Sequence, residues 1–248
     1  MSTIYKRTFM EKIYLDIGNS HYKMAVYSNG RWSVVAQGKI DQASEFRSNV
    51  QKNDTGNKWI ITSVRMDVLE VLKSFLPAER VRIIDNHDID PDKIDYRTPH
   101  TLGLDRFLAA YAAFHESKKS VMIIDAGSAI TIDMMNDKGV FMGGVIIPGL
   151  RIQKQAVTDY LPELPVIENV IPGNWPGKSS KECLEWGIHG SLQFALNGFI
   201  DRYSETHSDM DLYLTGGDSE FVGELIEKKS ELLIRNHLVF EGMRLLSE

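Results

Sequence analysis

The chain has a single cysteine among its 248 residues, Cys183. No disulfide can close within it, and a reducing cytoplasm is the expected compartment. Nor is there an uncharged apolar run of about 18 residues, so no segment is expected to span a membrane. Residues 1–12 carry Lys6, Arg7 and Lys12 but lack the apolar stretch of a secretory signal, and they read as a short frayed leader. A positive excess is missing too. The formal charge of −6 argues against a nucleic-acid surface, which needs clustered cations, while leaving a nucleotide ligand open. The 7 histidines show no metal-ligand spacing, since His115-Glu116 lacks the second histidine of an H-E-x-x-H helix. With 8 prolines, 43% hydrophobic and 25% charged residues, the composition is that of a soluble globular protein.

What is present is one pattern written twice. Ile13-Tyr14-Leu15-Asp16-Ile17-Gly18-Asn19-Ser20 runs on to Asn29-Gly30, and Met122-Ile123-Ile124-Asp125-Ala126-Gly127-Ser128-Ala129 runs on to Lys138-Gly139, at a constant interval of 109 residues. Each copy is an apolar strand ending in Asp-x-Gly, a tight turn, a second strand and a further turn. Such a duplication predicts two similar half-molecules with a cleft between them, placed at residues 1–117 and 118–248. Strands are expected again at Trp32–Ala36, Lys58–Val64, Arg80–Ile84 and Leu212–Leu214. Helices are expected over Gln42–Val50, Val68–Leu76, Gly103–Ser117, Gln153–Tyr160, Ser180–Tyr203 and Phe221–Lys229. Strands grouped in threes and then alternating with helices predict an α/β architecture with mixed sheets.

A carboxylate at the end of a buried strand, followed by glycine and small polar residues, suits phosphate and Mg²⁺ together. Glycine lets the backbone approach a phosphate, N–H groups and the side chains of Asn19, Ser20 or Ser128 donate to it, and the aspartate holds a metal directly or through water. One Asp-x-Gly alone is an ordinary β-turn; the matched pair carries the signal. Gly143-Gly144 to Pro148-Gly149 and Thr215-Gly216-Gly217-Asp218 are weaker glycine-rich elements, each also explicable as a hairpin turn or a helix entry. Asp105 and Arg106 open a helix. Asp105 is either a partner of the helix dipole or a base for a substrate hydroxyl, and Arg106 suits a carboxylate or phosphate. Gly173 to Ser179 imitates a Walker A loop but has three residues between its glycines where four are required. The acidic stretch from Asp85 to Asp95 imitates a calcium loop but holds Pro91 and ends its count on Pro99. Cys183 reads as a packing residue.

Together, Asp16-Ile17-Gly18-Asn19-Ser20, Gly103-Leu104-Asp105-Arg106, Asp125-Ala126-Gly127-Ser128-Ala129, Gly143-Gly144 to Pro148-Gly149 and Thr215-Gly216-Gly217-Asp218 resemble, in order and spacing, the type III pantothenate kinases. That family lies in the group of sugar kinase, Hsp70 and actin-like ATPases, so the resemblance implies duplicated ribonuclease H-like domains. It implies Asp105 as catalytic base. Tyr96, Gly103 and Arg106 would contact pantothenate, and Ser180 would be supplied from the neighbouring subunit of a homodimer. For ATP and its phosphates it implies Asp16, Gly18, Asn19, Ser20, Lys23, Gly127, Ser128, Gly216 and Gly217. It further implies Mg²⁺ near Asp16 and a monovalent cation, K⁺ or NH₄⁺, near Asp125. Ser20, Ser128 and Ser180 stand where the family usually has threonine, keeping the hydroxyl with a freer χ1, and Leu104 stands where a smaller residue is common. The rival readings are a kinase for another hydroxy acid or sugar, and a non-catalytic regulator on the same fold. Three intact aspartates, Asp16, Asp105 and Asp125, argue against the regulator.

Overall fold

The computed structural model describes residues 11–229 and 232–248, and the expected leader falls largely outside them. Two sheets of five strands account for the architecture. The first contains β1 (Lys12–Ile17), β2 (His21–Ser28), β3 (Arg31–Lys39), β4 (Lys58–Ser63) and β5 (Val81–Ile83). The second contains β6 (Val121–Ala126), β7 (Ala129–Met135), β8 (Phe141–Pro148), β9 (Asp211–Thr215) and β10 (Leu232–Ile234). The first has the order β3-β2-β1-β4-β5 and the second β8-β7-β6-β9-β10. In both, an antiparallel meander of three strands is extended by two parallel strands. The parallel additions need crossover helices. These are α1 (Ala43–Asn53) and α2 (Met66–Lys73) in the first half; the second half uses α4 (Leu150–Tyr160), α5 (Ser180–Glu185), α6 (Ser191–Ser204) and α7 (Ser219–Leu225). Helix α3 (Leu104–Ser117) precedes the second sheet, and α8 (Leu238–Ser247) follows it.

Alternation along each central strand decides where the acids point. Ile13, Leu15 and Ile17 join Phe46, Val50, Trp59, Ile61, Leu69 and Leu72 in one core, so Asp16 shares the opposite face with Tyr14. Likewise Met122, Ile124 and Ala126 pack with Leu192, Leu196, Leu214 and Val222, which puts Asp125 on the face away from that core.

The chain divides into two compact units. One holds the residues up to Ile89 with Gly103–Asp105 and Val239–Glu248; the other holds Asp90–Leu102 and Arg106–Leu238. In this division most of α3 goes with the second sheet and most of α8 with the first. Helix α8 is tied across the first sheet by several contacts. Trp32 Nε1 donates to Glu241 at 3.1 Å, Trp32 stacks on Phe240 at 5.5 Å, Arg244 lies over the Tyr27 ring at 5.1 Å, and Arg82 donates to the carbonyl of Leu246 at 3.0 Å.

Two local expectations need correction. Gly143–Pro148 is a strand, neither a turn nor a helix entry. Its glycines are required because a Cβ at Gly144 would overlap the Ile132 carbonyl on the adjacent strand. The helix expected from Ser180, with interruptions at Gly187, Gly190 and Gly198, is helical from Ser180 to Ser204 with one π segment over Trp186–Gly190, whereas the helix expected to reach Lys229 stops at Leu225.

Candidate active site

The first Asp-x-Gly turn joins β1 to β2, closed by Gly18 N–H donating to the His21 carbonyl at 3.0 Å. Asp16 is paired across the ladder with Lys23 on β2 and with Thr62 on β4. Lys23 thus stands directly beside the acid, as a cation suited to phosphate. Asn19 is exposed and Ser20 half-buried at the turn. Arg65, just beyond β4, donates to the Asn19 carbonyl at 3.3 Å while Asp67 holds the rest of its fork at 2.8 Å. Sequence reasoning passed over Thr62 and Arg65. Neither lies in a glycine-bearing motif.

The second turn joins β6 to β7, closed by Gly127 N–H donating to the Ala129 carbonyl at 3.0 Å. It is one residue shorter than the first. Asp125 therefore faces Thr131 where Asp16 faces Lys23, although the interval of 109 would equate Lys23 with Ile132. On its other side Asp125 faces Thr215, which is buried. A threonine beside the acid on the parallel neighbour is thus common to both halves. The two weaker glycine-rich elements converge on this turn. Gly216, at φ +97°, lies so close that a Cβ would overlap the Ala126 backbone, and the Asp218 N–H donates to the Ala126 carbonyl at 2.9 Å. A Cβ at Gly149 would overlap the carbonyls of Gly127 and Ser128. Gly217 has open space around it and is exposed. Backbone thus packs directly on backbone around Gly127 and Ser128, where only glycine fits at Gly149 and Gly216.

Asp105 and Arg106 occupy the first turn of α3, after Gly103. Asp105 is half-buried and Leu104 is buried. Arg106 is buried and forms an ion pair with Asp133 of β7, its Nε donating to the two carboxylate oxygens at 3.0 and 3.1 Å. Burial acts against the charge on Arg106, but the hydrogen bonds and charge of Asp133 outweigh it and hold the pKa above the usual arginine value. Tyr96 also favours the charge on Arg106. Its segment is fixed by the Asp95 N–H, which donates to the Phe141 carbonyl at 2.8 Å. Tyr96 and Arg106 both lie against the Phe141 ring, at 6.2 and 5.8 Å. Asp133 was missed, although an acid inside Ile-Thr-Ile-Asp-Met-Met is a visible anomaly in a buried strand.

Residues 12–202 match the model of the type III pantothenate kinase family. The chain belongs to that family. A type III pantothenate kinase from Flavobacterium johnsoniae is 29% identical over 92% of this chain and 94% of its own. Among solved structures, a protein from Campylobacter jejuni described as a Baf family transcriptional activator superposes with a TM-score of 0.66 at 23% identity, covering 94% of this chain and 96% of that one. The activator of 2-hydroxyisocaproyl-CoA dehydratase from Clostridium difficile, with bound ADPNP, gives 0.55 at 12% identity, covering 96% and 95%. These likenesses, with the repeated strand order, establish the duplicated actin-like ATPase fold.

For the type III family member, Ser180 lies exposed in the first turn of α5, next to Ser179, whose hydroxyl caps that helix by accepting from Glu182 N–H at 3.2 Å. The Walker-like segment is thus a helix cap. Ser180 borders a recess of about 610 Å³ lined by Leu164, Gly177, Lys178, Cys183 and Leu184. Tyr160, Val166, Trp175 and Phe194 of the same unit are large apolar side chains between 68% and 83% exposed. Among the described residues there is no cluster of three or more metal-ligating side chains.

Proposed function

We propose that the chain transfers the γ-phosphoryl group of ATP to the primary hydroxyl of pantothenate, forming 4′-phosphopantothenate and opening coenzyme A synthesis. Membership of the type III family over residues 12–202 is the observation that carries this reading. In the transfer, the hydroxyl oxygen bonds to the γ-phosphorus, the bond from that phosphorus to the β–γ bridging oxygen breaks, and ADP leaves. Asp105 orients the hydroxyl and takes its proton, while Arg106 and Tyr96 hold the acceptor. Backbone N–H groups of the turns after Asp16 and Asp125, the hydroxyls of Ser20 and Ser128, and Lys23 hold the phosphates, with Gly216 and Gly217 admitting the nucleotide. Asp16 would hold Mg²⁺, which when bound neutralises charge on the phosphate oxygens; Asp125 would hold K⁺ or NH₄⁺.

The test is ADP release with Mg²⁺ and ATP, with and without pantothenate, and with potassium or sodium as the sole monovalent cation. Pantothenate-dependent release, raised several-fold by potassium, is expected. Release indifferent to pantothenate would move the assignment to another acceptor, and none under any condition would favour a regulator.

The working unit in this reading is a homodimer in the cytoplasm, with Ser180 completing the partner's site. The exposed aromatics support it. Trp175 meets Trp186 at 5.3 Å between ring centroids and Trp186 meets Phe194 at 6.1 Å, so that Trp175 and Phe194, both exposed, flank one aromatic cluster. A Phe194→Asp variant should sediment as a monomer, keep its circular dichroism spectrum and lose at least about tenfold in activity, because a desolvated carboxylate is costly at an apolar interface. A variant that remained dimeric and active would remove Phe194 from the interface.

A further inference from the structure

The Arg106–Asp133 pair is more fully buried than any other ion pair among the described residues, at 8% and 2% side-chain exposure. Burying two charges costs desolvation that their attraction barely repays, so apolar residues would serve stability as well. The surroundings instead fix the guanidinium in plane and position. Asp133 accepts from Nε and Nη2 in a fork. The Phe141 ring lies 5.8 Å from the guanidinium carbon, and the Tyr96 ring packs edge-on against Phe141 at 6.2 Å. Gly144 leaves no slack behind the acid, since a Cβ there would sit 2.6 Å from the Asp133 Oδ1. A guanidinium is a planar array of donors that loses little entropy when it meets a carboxylate.

We propose that Asp133 is a positioning residue for the acceptor: it locks the Arg106 guanidinium in the orientation that receives the acceptor's carboxylate, and so sets the preference for an acid over its neutral analogues. This rests on the pantothenate reading. Asp133 touches neither the transferred phosphoryl group nor the hydroxyl; it acts through Arg106.

The experiment compares wild type with Asp133→Asn, which keeps the shape and one acceptor oxygen, on two acceptors: pantothenate and its primary carboxamide. Expected in the variant is a loss of about tenfold or more in kcat/KM for pantothenate, carried by KM, with the carboxamide changed less than about twofold, so that the discrimination collapses. Equal losses on both acceptors would make Asp133 merely structural, and a lowered KM for pantothenate would make it a competitor for Arg106; either overturns the proposal. A second arm needs no acceptor. The Arg106 Nε–H proton resonance, assigned by its disappearance in Arg106→Lys, should be sharp and downfield in wild type and lost in Asp133→Asn. Its persistence would overturn the locking. Should wild type turn over neither acceptor, the pantothenate reading fails, and this resonance still decides whether Asp133 positions Arg106.

Discussion

An Asp105→Asn enzyme is expected to turn over about 10²–10⁴-fold more slowly than wild type, with KM for ATP within about twofold. The asparagine keeps the shape at the first turn of α3, where the residue is half-buried, so the fold should hold. What it loses is the ability to take the hydroxyl proton as the oxygen bonds to phosphorus. Steady-state kinetics with a parallel melting curve gives the answer. Near-normal turnover would show Asp105 to be a partner of the helix dipole only.

The second large effect is expected at Gly216. Alanine there must adopt φ near +97° and places its Cβ within the Ala126 backbone. The backbone conformation alone costs about 1–3 kcal/mol, and the overlap forces the β9 turn away from β6. Melting should fall by about 5–10 °C, and ATP binding should weaken beyond what instability explains, because the displaced turn borders Asp125, Gly127 and Ser128. Gly217→Ala is the matched control. A Cβ at Gly217 meets nothing within 4 Å, so its melting temperature should stay within about a degree, and any loss of ATP affinity in that variant reports on the nucleotide itself. Equal thermal behaviour of the two variants would contradict the packing around the second turn.

The duplicated frame was legible because its signals are local: an apolar strand, an acid, and a glycine that the turn demands, repeated at one interval. The site residues in those turns came with it. The interval nonetheless misaligned the strands beyond the turns, since a turn one residue shorter still returns to register at Gly139, whose φ of +70° matches the +76° of Gly30. Strand β8 was hidden by Gly143 and Gly144, residues that weaken strands by propensity; Gly143 is needed for its φ of +87°, and Gly144 because the Ile132 carbonyl leaves no room for a side chain. Asp133 was hidden for another reason. Its partner Arg106 lies 27 residues earlier, and nothing in local periodicity links a strand acid to a helix cation. Helix α8 carries an ordinary apolar stripe of Leu238, Phe240 and Met243, but ten residues after a poorly marked strand gave too short a pattern to assign.

That helix has a consequence for biogenesis. Because residues Val239–Glu248 complete the first unit, a ribosome releases every segment of the second unit before it releases the last piece of the first. The order of completion is therefore opposite to the order of synthesis. Until α8 arrives, Trp32 and Tyr27 on the growing chain lack their partners Phe240, Glu241 and Arg244, an apolar and aromatic surface of the kind chaperones recognise.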